Sequence, residues 1–264
     1  MSWLRPLGNT GLKVSAIGLG TVKLGRNREV KYPGNFELPD DRNAASLLAQ
    51  ARELGINLID TAPAYGSSEE RLGKLLRGQR QHWLICSKVG EEFEQEQSHF
   101  DFSPQYIRHS VQRSLRRLNT DVIDILLIHS DGNDLQIIEQ TGALEELIQL
   151  KNQGLIRSFG MSTKTVAGGL AAARSCDVVM LTYNPVQQEE LPVLDCCREM
   201  HCGALVKKVL ASGHLAMNQS DAKGPVQASM DLVLGHPGTT AAIVGTITPA
   251  HLLDNVEAAR RAIG

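Results

Sequence analysis

Short apolar runs alternate with amphipathic stretches along this chain of 264 residues. The apolar runs predict strands at 16–20, 57–59, 83–87, 123–128, 157–160, 178–181, 204–206 and 241–244. The stretches between them repeat their apolar positions every three or four residues, which is the helical period. They predict helices at 42–54, 69–76, 104–118, 143–153, 164–174, 190–200, 227–234 and 249–262. A helix after each strand favours parallel pairing through right-handed crossovers.

Eight such units within about 250 residues are what a closed (β/α)8 barrel requires. The predicted fold class is therefore α/β, a TIM barrel that occupies residues 1–264 as a single domain. A doubly wound open sheet is the alternative, because closure does not show in a sequence. Ahead of the first strand, the segment RPLGNTGLKV has Asn9 and Gly11 between short apolar pieces. This pattern predicts an N-terminal β-hairpin that plugs the amino end of the barrel.

Composition and charge exclude several classes of function. A formal charge of -2 gives no electrostatic basis for binding nucleic acid or an anionic membrane surface. No apolar run has membrane-spanning length and the first residues lack a signal-peptide core, so we expect a soluble cytoplasmic protein. Cys197, His201 and Cys202 form a conceivable soft-metal set, but there is no CxxC pair. We therefore read these residues as core packing and predict no metal.

Ionisable residues stand at the ends of three consecutive predicted strands. Asp60 follows NLI, Lys88 follows WLICS, and His129 follows DILLI. Each of them alone is more typical of a cap, a solvated side chain or a structural histidine. Together they bring an acid, an amine and an imidazole to the carboxyl rim, where barrel enzymes keep their chemistry. Tyr65, five residues past Asp60, can fold back over this rim.

These four side chains predict a proton-donating site. A phenol with a pKa of about 10 is a poor acid at neutral pH. An ammonium about 4 Å away, at an effective dielectric constant near 20, favours the phenolate by up to about 4 kcal/mol. Asp60 would keep Lys88 charged, and His129 would orient a substrate oxygen. The expected product is a pocket that protonates an alkoxide as it forms.

The segments DTAPAYGSSEERLG, ICSKVG and ILLIHSDG, in this order and spacing, resemble the aldo-keto reductase family. The similarity runs from LGNTGLKVSAIGLGT to GTITPAHLLDNVEAA, which is nearly the whole chain. The resemblance implies a (β/α)8 barrel that binds a nicotinamide cofactor. It also implies that Tyr65 is the general acid/base, that Lys88 and Asp60 tune it, and that His129 positions the carbonyl.

The resemblance also implies the cofactor side of the site. The first βα loop would bring Gly20 and Thr21 near the cofactor. FGMSTK resembles the family's Ser-Asn pair for the nicotinamide amide, with Ser162 retained and Thr163 in place of asparagine. Met180 stands where the family commonly has glutamine, so one nicotinamide contact differs here.

The seventh loop, LVKKVLASGHL, resembles the stretch that wraps the cofactor pyrophosphate. Lys207 takes the place of the aromatic residue that stacks on nicotinamide. Because neighbouring residues of a strand point to opposite faces, we expect only one of Lys207 and Lys208 to reach the site. The resemblance adds further cofactor residues from this loop: Val209, Leu210, Ser212 and Gly213.

The last unit, VGTITPAHLLDN, places Gly245 and Thr246 before a helix whose N-terminus favours a phosphate. By resemblance this helix holds an adenosine 2′-phosphate, with His251 where a basic residue is common and Asn255 as the adenine contact. Thr248 and Asp254 belong to the same predicted set. NADP(H) is therefore the expected cofactor, with NAD(H) as the alternative.

Three functions are compatible with this pattern. The first is reduction of an aldehyde or ketone by NADPH with Tyr65 as proton donor. The second is the reverse reaction as an aldose 1-dehydrogenase, and the third is an NADP-binding regulatory subunit with little turnover. The expected partner is a small carbonyl or sugar substrate, and the oligomeric state does not follow from the sequence. Residues 91–103 form a long third loop with Phe93, Phe100 and Phe102, which is either a substrate-binding loop or a solvated lid with one aromatic anchor.

Overall fold

The structure, a computed structural model, describes residues 2–30, 32, 34–213 and 224–264. The strands are β1 (Leu4–Pro6), β2 (Lys13–Ser15), β3 (Ile17–Gly20), β4 (Leu58–Asp60), β5 (Leu84–Val89), β6 (Glu91–Glu94), β7 (Gln97–Phe100), β8 (Ile123–His129), β9 (Ile156–Ser162), β10 (Val178–Thr182), β11 (Gly203–Lys207) and β12 (Ala241–Val244). Eight of them are parallel and close into a barrel in the order β10-β11-β12-β3-β4-β5-β8-β9. The predicted α/β barrel is confirmed.

Closure depends on the pairing of β12 with β3, the last and first barrel strands. Ala242 pairs with Ile17 and Val244 pairs with Leu19, both in parallel register. The open doubly wound alternative is therefore wrong. All eight strands direct their carboxyl ends to the same rim of the barrel, because every neighbouring pair is parallel.

The helices cover the outside of the barrel. They are α1 (Val22–Gly25), α2 (Asp41–Glu53), α3 (Ser68–Leu75), α4 (Pro104–Leu118), α5 (Asp134–Gln140), α6 (Ala143–Asn152), α7 (Val166–Ser175), α8 (Leu191–Glu199), α9 (Pro225–Gly235) and α10 (Pro249–Ile263). α4 shows why they form: Ser103 caps the backbone N–H of Tyr106, Pro104 occupies the first turn, and Asn119 ends the helix in the left-handed conformation.

The N-terminal hairpin is present, with β1 and β2 antiparallel. Its residues Leu7, Leu12 and Val14 are buried in one apolar cluster with residues of the barrel interior such as Leu58 and Ile125. The hairpin therefore plugs the barrel, and it does so at the amino end. The opposite end is left for a site.

The long third loop, 91–103, contains a strand pair that the sequence analysis does not predict. β6 and β7 form an antiparallel hairpin in which Glu94 pairs with Gln97. The two turn residues, Gln95 and Glu96, both have positive φ, at 51° and 62°. Hairpins of this type usually signal themselves by asparagine or glycine at these positions. The sequence lacks that signal, so the strand pair was not evident from it.

Two further features concern membranes and metals. Across the residues that the structure describes, no helix is both long and apolar enough to cross a membrane. Within the same residues, no three histidine, cysteine or acidic side chains come together as a metal-binding group. The described cysteines are all free thiols, and Cys197 and Cys202 are buried.

Candidate active site

The carboxyl rim brings the predicted residues of three adjacent strands together. Asp60 ends β4, Lys88 is the penultimate residue of β5, and His129 ends β8. β4 pairs with β5 and β5 pairs with β8, so the three side chains rise from neighbouring strands. Asp60 and Lys88 are 4% and 1% exposed, so both lie inside the barrel mouth.

Tyr65 reaches the same point from a turn above the rim. The chain leaves β4 and forms a short 3₁₀ turn, Pro63–Tyr65, that ends at Gly66. Gly66 has a φ of 60°, and a Cβ on it would lie 2.2 Å from the Gly25 carbonyl oxygen. A Cβ on Gly25 would equally lie 2.2 Å from the Tyr65 carbonyl oxygen. The two glycines thus allow backbone to pack on backbone, and this contact fixes the height of Tyr65 above the barrel.

Asp60 and Lys88 form a buried ion pair. The Lys88 Nζ donates to Asp60 Oδ1 at 2.5 Å and to the Thr61 carbonyl at 2.9 Å. Burial alone would lower the pKa of Lys88, but the charge of Asp60 and its hydrogen bond raise the pKa above its ordinary range. Lys88 is therefore an ammonium at neutral pH.

Tyr65 contacts this pair directly. Its hydroxyl lies 3.4 Å from Asp60 Oδ2, and the Lys88 Nζ lies 4.7 Å from the centre of its ring. Burial and the Asp60 charge raise the pKa of the phenol well above 10, whereas Lys88 acts to lower it. The expectation that the pKa of Tyr65 is lowered overall is wrong for this structure, because burial and the Asp60 charge together outweigh the effect of the Lys88 ammonium. A neutral phenol is the form that can donate a proton.

His129 completes the group and has a partner that the sequence did not reveal. Its ring lies edge-on to Tyr65 at 6.3 Å between centres, and its Nδ1 lies 2.6 Å from Glu91 Oε2. The two atoms are in close electrostatic contact, although Nδ1 makes no hydrogen bond of good geometry. Burial lowers the pKa of His129, and Glu91 partly offsets this effect. Glu91 itself is held ionised, because His129 brings its pKa to about 2 despite burial.

A cavity of about 890 Å³ opens over these four residues. Predicted cofactor residues on its walls are Gly20, Thr21, Ser162, Thr163, Met180, Lys207, Lys208, Val209, Leu210, Ser212, Gly213 and Gly245. The remaining five predicted residues do not border it: Thr246, Thr248, His251, Asp254 and Asn255. His251 and Asp254 are exposed on α10, and Asn255 is buried beside them. The last two residues of the seventh-loop segment, His214 and Leu215, lie outside the described residues.

Lys207 and Lys208 differ in depth. The Lys207 Nζ donates to Ser162 Oγ and to the Thr163 carbonyl, both at 2.8 Å. Burial lowers the pKa of Lys207 to about 8, although Glu190 acts to raise it. Lys208 borders the same cavity but is exposed, with a φ of 56° that ends the strand. Both lysines thus line the cavity, Lys207 at its wall and Lys208 at its mouth. The expected alternation of side chains between the two faces of a strand does not apply, because the strand ends before Lys208.

Two further residues line the cavity: Glu190, which sequence reasoning missed, and Tyr32, which lies in the long loop after the first barrel strand. Glu190 lies just before α8, and its Oε1 accepts from the Thr182 backbone N–H at 3.2 Å. Tyr32 packs edge-on against Phe36, and the Lys23 Nζ lies 4.0 Å from the centre of its ring. Both residues follow strands at distances where no periodic pattern marks them. Only the fold shows that their loops return to the rim.

This geometry agrees with the comparison to known proteins. The profile of the Aldo/keto reductase family matches residues 16–233. L-Galactose dehydrogenase of Arabidopsis thaliana is 38% identical over 166 residues, which are 60% of this chain and 48% of that protein. The chain thus spans about half the length of curated relatives such as this one. An uncharacterized oxidoreductase of Schizosaccharomyces pombe is 30% identical over 93% of this chain and 87% of its own.

Solved structures of the same family include one with higher sequence identity to this chain than these relatives. A structure from Pseudomonas aeruginosa that carries an aldo-keto reductase assignment is 56% identical, with a TM-score of 0.90 over 99% of this chain and 95% of its own. The residues matched by the family profile include Tyr65 and Lys88 of the rim. The chain therefore belongs to the aldo/keto reductase family, a family of oxidoreductases.

Proposed function

We propose that this protein reduces an aldehyde or ketone with NADP(H), with Tyr65 as the proton donor. The observation that carries the proposal is the convergence of Tyr65, Lys88, Asp60 and His129 at the mouth of one cavity. Family membership supports a nicotinamide cofactor in that cavity.

The cavity wall fits such a cofactor. Its volume of about 890 Å³ lies within the range of small-molecule and cofactor sites. Gly20 and Gly245 lie next to each other where β3 and β12 end, and the cavity borders the backbone there beside the Tyr32 hydroxyl. The buried oxygens Thr163 Oγ1 and Glu190 Oε2 have no hydrogen-bond partner within the described residues. Buried polar atoms of this kind are usually satisfied, so a polar ligand at this wall is favoured.

Each residue of the rim has a distinct task. A nicotinamide cofactor bound in the cavity would supply the hydride for the carbonyl carbon. Tyr65 gives its phenolic proton to the carbonyl oxygen as negative charge develops there, and Lys88 stabilises the phenolate that remains. Asp60 keeps Lys88 charged inside the barrel. His129 lies across from Tyr65 and orients the same oxygen, so that the proton moves over a short, fixed path.

We propose NADP(H) rather than NAD(H) because of the last strand–helix unit of the chain. α10 begins at Pro249 after Thr248, and the Thr248 backbone N–H binds Thr246 Oγ1 at 3.0 Å. The free N–H groups and dipole of its first turn favour a phosphate. His251 and Asn255 lie within the first two turns of this helix, where a 2′-phosphate and an adenine would bind.

Oxidation of a sugar is the second candidate. It is favoured by the similarity to L-galactose dehydrogenase, whose name states a sugar substrate. The same residues serve both directions, because Tyr65 would then accept the hydroxyl proton that it donates in reduction. A panel of aldehydes, ketones and aldoses with both cofactors, followed at the nicotinamide absorbance, distinguishes the two.

The variant Tyr65→Phe tests the proposed role. It removes the proton donor and keeps the ring, so we expect kcat to fall by at least about 10³-fold. The dissociation constant for NADPH should stay within about twofold. Tyr106→Phe, which removes a phenol from the outer helix α4, is the matched control and should keep full activity. Unchanged kcat in Tyr65→Phe would exclude Tyr65 as the donor.

A further inference from the structure

The proposed reaction leaves Glu91 without a task, although this residue lines the cavity. It is the first residue of β6 and stands three residues past Lys88. The Glu91 side chain is only 13% exposed, and burying a carboxylate is costly unless its oxygens are paired. The partners of this acid therefore indicate what it does at the site.

Both oxygens of Glu91 contact other elements of the fold. Oε1 accepts from the Ser98 hydroxyl at 2.6 Å, and Ser98 belongs to β7, the second strand of the same hairpin. Oε2 lies 2.6 Å from Nδ1 of His129, at the end of β8. The hairpin is itself fixed to α4, because Arg113 of that helix pairs with Glu92. The surrounding fold thus holds Glu91 beside His129.

This contact determines which ring nitrogen of His129 carries the hydrogen in the neutral form. A carboxylate offers only acceptor sites, so its approach to Nδ1 within 2.6 Å is favourable only when Nδ1 is protonated. Nε2, the nitrogen left for a substrate oxygen, then has a lone pair in the neutral ring and a hydrogen only in the doubly protonated ring. An oxygen that gains negative charge needs a donor, so the protonated ring is the form that binds it.

Glu91 also supplies the negative charge that favours this protonated ring. The groups that face the ring are Glu91 from β6, Lys88 from β5, Lys207 from β11 and the phenol of Tyr65 from the turn after β4. Burial and the two ammonium groups act against protonation of His129, whereas Glu91 acts for it. Despite burial, the contact with His129 holds the pKa of Glu91 at about 2, so its charge is present at neutral pH.

We propose that Glu91 is a positioning residue of this site: it keeps the ring hydrogen of neutral His129 on Nδ1 and stabilises the protonated ring, whose Nε2–H binds the substrate oxygen. Glu91 acts through His129 and not on the reacting atoms. The inference rests on the proposed function, which places the substrate oxygen between Tyr65 and His129. Reduction then requires protonated His129, so kcat/KM should fall as the pH rises through the pKa of this ring, which burial lowers from 6.5.

The charge and the hydrogen position of His129 can be measured without substrate or cofactor. NMR spectra of the ring, assigned by the signals that are lost in His129→Asn, give its pKa and show which nitrogen is protonated in the neutral form. The unaltered protein should carry this hydrogen on Nδ1. Glu91→Gln removes the charge at nearly constant size, so the pKa of His129 should fall. The matched control, Glu94→Gln, changes an exposed acid of the same strand and should leave that pKa unchanged.

The pH profile of carbonyl reduction by NADPH shows whether the pair serves the reaction. In Glu91→Gln the fall of kcat/KM should move to lower pH, and kcat/KM at pH 7 should drop about tenfold, because the protonated fraction changes tenfold for each unit of pKa. Glu91→Asp, which keeps the charge, should recover part of this loss. In the His129→Asn background no ring titrates, so adding Glu91→Gln should change kcat/KM less than about twofold.

A neutral ring with its hydrogen on Nε2 in the unaltered protein, or an unchanged pKa of His129 in Glu91→Gln, would overturn the inference. The same loss of kcat/KM at every pH, or an equal loss in the His129→Asn background, would show a merely structural effect and overturn it as well. A different result, no reduction of any carbonyl by the unaltered protein with either cofactor, would contradict the proposed function. The NMR spectra would still decide whether Glu91 controls His129.

Discussion

Lys88 is the residue of this site whose charge is most costly to bury. It is one of the largest fully buried side chains of the described residues, at 1% exposure, and its charge is matched by Asp60 at 2.5 Å. Burying an ammonium is costly unless it is paired and hydrogen-bonded. The pair therefore serves the stability of the barrel mouth and the charge state of the site together.

Replacing Asp60 by asparagine should make stability depend on pH in a new way. In the unaltered protein the folded-state pKa of Lys88 lies above its unfolded value, so its contribution is complete below about 10.4 and is lost only at higher pH. In Asp60→Asn, burial without a countercharge lowers the folded pKa, and the unfolded chain then binds more protons. The free energy of unfolding should fall by about 3–5 kcal/mol at pH 7 and recover by up to about 1.4 kcal/mol per pH unit toward pH 10.

Urea unfolding at pH 7, 8, 9 and 10 measures this change. Asp41→Asn removes an exposed carboxylate that pairs with Arg71 and is the control. It should cost at most about 1 kcal/mol at every pH. Parallel pH curves for Asp60→Asn and the unaltered protein would contradict the argument.

At this scale the sequence was informative about strand ends and uninformative about the carboxylates of the loops. Asp60, Lys88 and His129 were predicted because each follows an apolar run directly. Glu91 and Glu190 were not, because a loop carboxylate has no periodic signal. Their partners come from other strands, such as β8 for Glu91.

At the scale of elements, the position of Tyr65 depends on the packing of two turns. Gly66 has a positive φ of 60°. A Cβ built on this residue would lie 2.2 Å from the Gly25 carbonyl oxygen. Gly78 also has a positive φ, of 77°, but a Cβ there would have open space. Alanine substitutions at the two positions therefore separate the cost of a positive φ from the cost of the steric clash with Gly25.

Gly66→Ala should lower kcat/KM by more than about tenfold, because the added methyl group pushes the turn and Tyr65 off the rim. Gly78→Ala is the matched control, with a stability loss of about 1 kcal/mol from strain alone and normal kcat/KM. Thermal unfolding and steady-state kinetics on both variants measure the difference. Equal kinetics in the two variants would contradict the proposed contact.

Most elements were predictable from periodicity, with α4 predicted at the observed bounds, Pro104–Leu118. The short helices α1 and α5 were not predicted, and neither was the hairpin of β6 and β7. Its turn residues Gln95 and Glu96 adopt left-handed conformations without glycine, so local sequence preferences gave no warning. The hairpin matters for function because it carries Glu91 to His129.

At the scale of the whole molecule, the barrel has one end for stability and the other for chemistry. Leu7 is fully buried at the amino end, next to Gly203, the first residue of β11. The candidate site lies at the carboxyl end of the same strand, at Lys207. A change at the plug should therefore act on stability alone.

Leu7→Ala should lower the free energy of unfolding by about 3 kcal/mol, since it opens a cavity in the barrel plug. Its kcat and KM should stay within about twofold of the unaltered values. Leu4→Ala, at a position that is 45% exposed on the same hairpin, should have little effect on either quantity. Denaturant unfolding with steady-state kinetics measures both effects, and a large change in KM without loss of stability would contradict this division.

The sequence by itself determined the eightfold alternation of strands and helices, the hairpin plug, and the three ionisable strand ends, because these are encoded in local periodicity and in what directly follows each apolar run. The family resemblance placed Tyr65 and the cofactor segments on that frame. Only the tertiary structure decided that β12 closes on β3 and that the phenol is held neutral by Asp60 and burial. It alone brought Glu91 to His129, and Glu190 to the wall that Lys207 shares. Closure, burial and pairing between loops depend on residues far apart in the chain, and no local pattern records such contacts.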